Sequence, residues 1–128
     1  MKPYAMIAAT VLGIAVATPA MAQSMNADVL YKRAKSLKKK GALALFSRGE
    51  IKNLMKEVQA AAGAARERRL AALKAGQRPR YCPTEAKGSM GSGELMDRLA
   101  AIPPAERARI DMTEAMTRIL AAKFPCRG

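Results

Sequence analysis

The sequence predicts an all-α fold, a small bundle of four or five helices held by one disulfide. Three observations carry this. Apolar residues recur at i, i+3 and i+4 along several stretches, the spacing of one helix face. No stretch alternates with a period of two, and no Asn-Gly or Asp-Gly pair occurs to turn a hairpin. The chain has two cysteines, Cys82 and Cys126, far apart in sequence.

The chain opens MKPYAMIAATVLGIAVATPAMAQS. Lys2 is a positive start, residues 5–17 are apolar apart from Thr10 and Gly13, and Pro19 breaks the run. Ala20 and Ala22 put small residues at −3 and −1 of a cut before Gln23. This pattern predicts a secretory signal peptide over 1–22, cleaved after Ala22. The alternative, a membrane anchor, needs about 20 apolar residues, more than this run supplies. Residues 23–128 are then one exported helical domain, expected in the periplasm of a Gram-negative bacterium.

Asn26 caps a first helix that runs to about Lys40 and stops at Gly41. Val29, Leu30, Ala34 and Leu37 form its apolar stripe. Lys38, Lys39 and Lys40 fall in the last turn, where cations suit the negative end of the helix dipole. The apolar connector ALALF (42–46) leads into the sharpest local signal in the chain. Ser47 is the expected N-cap and Glu50, three residues later, completes a capping box, with Phe46 and Ile51 at the positions of a hydrophobic staple.

The second helix is predicted over 48–75, with Gly76 as its stop and Pro79 beyond. Ile51, Leu54, Met55, Val58, Ala61, Ala62 and Ala65 mark its inward face. That face narrows to alanine, which lets another helix approach closely. Arg66, Arg68, Arg69, Lys74, Arg78 and Arg80 crowd its C-terminal end against Glu67 alone. This is the candidate basic patch; a solvated helix end is the plainer reading of the same residues.

After a Pro- and Gly-containing loop, Ser92 is the expected cap of a third helix ending near Ala101, with Leu95, Met96, Leu99 and Ile102 inward. Pro104 can open a short turn, since proline suits the first helical position. Asp111 and Glu114 make a second capping box for the last helix. Met112, Ala115, Met116, Ile119 and Leu120 face inward, and Pro125 ends the helix.

Two cysteines exported together predict one intramolecular bridge, Cys82 to Cys126, with an intermolecular bridge as the alternative. The bridge closes a loop of 44 residues (126 minus 82). The chain-entropy model assigns such a loop about 4 kcal/mol. Zinc is not expected, given the absence of histidine and the wide cysteine spacing.

Charge divides the chain. Residues 31–80 carry 15 basic and three acidic side chains, whereas 81–128 carry seven and six. The basic half attracts anionic partners; a solvated surface without a dedicated partner is the alternative.

The second half also carries a pattern. It reads Tyr81, Cys82, Pro83, then a leucine-containing helix over 95–102, Pro103 and Pro104, the basic Arg107 and Arg109, and a helix ending Phe124, Pro125, Cys126. This resembles the C-terminal part of the Rap/Tai family of periplasmic immunity proteins. The resemblance implies a small helical, disulfide-linked protein that binds and inhibits a peptidoglycan-cleaving effector delivered by type VI secretion. It spans residues 81–126. The first half departs from the family's pattern, with a cysteine-free basic region where further cysteines are usual, so no effector-contacting residue is carried over.

No catalytic residue, metal ligand or cofactor site is expected. There is no histidine to act as base, the cysteines are expected to be paired, and Glu50 and Glu114 are expected to be used in caps. The leading expectation is a non-catalytic protein-binding module, as a monomer or a homodimer, that occludes its partner and steers it through the basic helix. The alternative is a binder of anionic envelope components, lipopolysaccharide or anionic lipid. Nucleic acid fits poorly, because export and the scarcity of aromatics leave little for base stacking.

Overall fold

The computed structural model describes residues 24–41, 47–83 and 90–127. The expected signal segment, the ALALF connector with the staple residue Phe46, and the loop 84–89 lie outside the described residues. Five helices follow in order: α1 (Ala27–Lys40), α2 (Arg48–Lys74), α3 (Ser92–Ala101), α4 (Pro104–Arg107) and α5 (Met112–Lys123). The described residues contain no strand; Asn26 and Asp111 form a single isolated antiparallel bridge. The fold is all-α with one disulfide, as the sequence predicts.

Helix ends follow local chemistry, with three corrections. Asn26 caps α1 as expected, its side-chain oxygen accepting from the amides of Asp28 (3.0 Å) and Val29 (3.1 Å). Gly41 leaves the helix at φ 54, a conformation that favours glycine. Gly76 (φ 71) ends α2 in a Schellman motif. There the amide of Gln77 donates to the carbonyl of Ala72 (2.8 Å) and that of Gly76 to Leu73 (3.1 Å). Asp111 caps α5, accepting from the amide of Glu114 at 2.8 Å.

Ser47 stands at the N-cap of α2, but its side chain makes no cap bond. Its φ of −109 and ψ of 33 lie outside the extended region that aims a cap oxygen at the following amides. Glu50 still places a carboxylate in the first turn, where the dipole favours it. Ser92 is the first residue of α3 rather than its cap; the extended Gly91 (φ −74, ψ 164) takes that position. Glu114 does not turn back to the cap of α5 but pairs with arginines instead.

The core sits where α2 and α5 run against each other, with α1, α3 and α4 closing it. Leu30, Leu99 and Met112 are its largest fully buried side chains. Each contributes roughly 1.5–3 kcal/mol of transfer energy. Ala61 and Ala65 are also buried, and they let α5 approach through Met112, Ala115, Met116 and Ile119. Two expected core residues point outward. Val29 and Met55 are 42% and 57% exposed. Each is one residue, about 100° of helix, away from a buried leucine (Leu30, Leu54), which carries it off the inward stripe.

The start of the described chain is clamped. The amide of Ala27 donates to the Ile110 carbonyl (3.0 Å), and that of Met112 to the Met25 carbonyl (2.7 Å). The amide of Met25 reaches Glu57 on α2 at 3.2 Å. Residues 24–27 therefore tie α2 to the junction between α4 and α5.

Candidate functional site

The disulfide joins Cys82 to Cys126, with their Cα atoms 4.9 Å apart. It fastens the segment leaving α2 to the segment leaving α5. A backbone bond from the Cys82 amide to the Phe124 carbonyl (2.8 Å) lies beside it. Arg78 donates to the Cys126 carbonyl at 3.2 Å. The basic end of α2 is thus held against α5 by one covalent and several polar links.

This arrangement sorts the six cations of the basic patch into two groups. Arg66 and Lys74 lie on the outer side of α2 and are exposed. Arg68, Arg69, Arg78 and Arg80 turn towards α5 and line a recess of about 240 Å³. Ala65 and Ala72 form its floor on α2, with Tyr81 and Thr117 opposite. Alanine at those positions leaves the space that the arginines surround.

The arginines of the recess differ in their partners. Arg80 grips Glu114 with both terminal nitrogens, at 2.6 and 2.8 Å. That pair, with Arg118 as a second partner, holds the Glu114 carboxyl below its ordinary range, against an opposing effect of burial. The Arg69 guanidinium lies 5.5 Å from the centroid of the buried Tyr81 ring. Its Nε is buried and has no hydrogen-bond partner among the described residues. Arg68 is exposed and makes no ion pair among the described residues.

The outer side of α2 carries a different feature. Leu70 and Leu73 are 46% and 49% exposed and adjacent at i, i+3 spacing. Arg66 and Lys74 flank them, and Glu67 is the single carboxylate in that part of the helix. A second open groove, about 370 Å³, lies between α1 and α3; Lys35, Lys38, Lys39 and Tyr31 line it opposite Met96 and Asp97.

The most buried ionic group of the described residues is one that the sequence marks only as part of a basic stretch. Arg107 is 5% exposed. It donates to Asp28 (3.1 Å) and to the carbonyls of Leu99 and Ile102 (both 3.0 Å). Its guanidinium lies 4.0 Å from the centroid of Tyr31. Asp28 also pairs with Lys32 at 2.9 Å, and the bonds from Lys32 and then Arg107 hold its carboxyl below the ordinary value. Arg107 satisfies the carbonyls left open where α3 ends and binds α4 to α1, a positioning job rather than a chemical one. Glu94 plays a smaller version of this part on the other side. Lys123 and then Arg98 lower its carboxyl, tying α3 to α5.

Among the described residues no group of three or more metal-ligating side chains converges. No described helix is long and apolar enough to cross a membrane. Comparison with protein-family models, curated proteins and solved structures finds no match to this chain.

Proposed function

We propose that this chain is an exported, non-catalytic protein-binding module that docks an acidic protein surface on the outer face of α2. The observation that carries the reading is the pair Leu70 and Leu73, half exposed and flanked by Arg66 and Lys74. Exposed leucines supply apolar burial, and surrounding cations that outnumber the single carboxylate Glu67 select an acidic counterpart. A second copy of the chain would bring like charges together, so a different, acidic protein is favoured. The absence of histidine and the pairing of both cysteines support a role without chemistry. The resemblance of 81–126 to the Rap/Tai family extends the reading to an immunity-like inhibitor, which occludes a cell-wall hydrolase in the periplasm.

The test is capture of partners from the cell envelope with the chain from Gln23 onward, at about 0.15 M and about 0.5 M salt, because salt weakens contacts made by charge alone. One protein retained at both salts supports docking, and a hydrolase supports the inhibitor version. N-terminal sequencing of the protein isolated from cells should begin at Gln23. A second reading, a binder of lipopolysaccharide or anionic lipid, rests on the lysines of α1 around the groove to α3. Recovery of lipid alone, lost at the higher salt, would replace the first reading with the second.

A further inference from the structure

The recess between α2, α5 and the return segment 77–81 is more than the side of a basic patch. We propose that it is an oxyanion subsite, which takes one carboxylate or phosphate group in the forks of Arg68 and Arg69. Four guanidinium groups line it, and Glu114, gripped by Arg80, is the one carboxylate paired with any of them among the described residues. The Nε of Arg69 is buried without a partner.

The Arg80–Glu114 pair displays, at the rim of the same recess, the bidentate geometry that an arginine fork offers an oxyanion. The Tyr81 ring lies 5.5 Å from the Arg69 guanidinium, within cation–π range, and the bond from Arg78 to the Cys126 carbonyl fixes the opposite wall. The volume of about 240 Å³ is enough for a single planar or tetrahedral oxyanion. The helix dipole accounts for cations at the end of α2, but not for their convergence around a space into which alanines open. The recess faces α5, away from the outer face of α2, so the subsite goes beyond the docking reading and does not depend on it. Its test needs no partner, so the two fail separately.

The experiment is NMR titration of the free, oxidised chain from Gln23 onward, following arginine Nε–Hε resonances. The probes are inorganic phosphate and acetate, each at constant ionic strength maintained with sodium chloride. A saturable shift at Arg69 is expected, and the probe that saturates first identifies the phosphate or carboxylate source. Because Arg69 packs on Tyr81, the variant is Arg68→Gln at the exposed neighbour, with folding checked by amide spectra. It should weaken the saturable binding roughly tenfold, the value of one charge-assisted bond. Arg66→Gln on the outer face should leave it unchanged. Shifts that rise linearly with both probes and are equal at Arg66 and Arg69 would show surface screening only and overturn the proposal.

Discussion

Replacing Arg107 with methionine should destabilise the fold more than any change on the basic face. The side chain lengths are similar, so packing against Tyr31 is largely kept while the charge and donors go. Two carbonyls, of Leu99 and Ile102, lose a charged donor held at 3.0 Å. At roughly 1.5 kcal/mol each, the lower end for bonds to charged groups, these amount to about 3 kcal/mol. The stacking on Tyr31, at 4.0 Å, adds on the order of 1 kcal/mol. The methionine avoids the cost of burying a guanidinium, which returns part of this. A net loss of about 3 kcal/mol remains, a shift in midpoint temperature of roughly 10–20 °C for a domain of this size. Urea unfolding of the oxidised chain from Gln23 onward, followed by circular dichroism, measures it. Arg107→Lys keeps one charged donor and should fall between the two. An unfolding free energy within about 0.5 kcal/mol of the parent, the range of an ordinary surface change, would refute the reasoning.

Three further outcomes follow from the same contacts. Changing Cys126 to serine opens the 44-residue loop and should cost about 4 kcal/mol in the same assay, compared with the oxidised parent. Gly76→Ala should cost about 1 kcal/mol, because φ 71 strains any side chain although nothing crowds the site. Asp28, Glu94 and Glu114 are all more acidic folded than unfolded, so the folded state binds fewer protons. Their stabilisation is fully present above the ordinary glutamate value of 4.5 and should be lost as pH falls through the lowered folded values. With no histidine, the midpoint should be nearly flat between about pH 6 and pH 8.

Much of the helical framework is legible in the sequence, because its signals are local. Asn26, Gly41, Gly76 and Asp111 each act on amides or carbonyls a few residues away. The disulfide is legible from cysteine count alone. Capping residues with two possible jobs are less so. Glu114 has the spacing of a capping box, yet an arginine 34 residues away offers it two charged bonds. Ser92 loses its cap role to Gly91 by one residue. Arg107 is the largest omission. It reads only as one of a basic pair in the pattern of 81–126, and nothing near it marks it for burial, because that depends on Asp28, 79 residues earlier, and on where α3 ends. The basic patch reads as one cluster in sequence, but folding divides it. Helix phase sends Arg66 and Lys74 outward and Arg68 and Arg69 towards α5, and the disulfide swings Arg78 and Arg80 back to join the second group.

The docking face on α2 can be tested most directly with Leu70→Asp combined with Leu73→Asp. Both side chains are half exposed, so the fold should survive, as circular dichroism and unfolding would verify. The proposed face predicts that a protein captured by the parent at both salts is lost from this variant. Undiminished capture by the folded variant would contradict it.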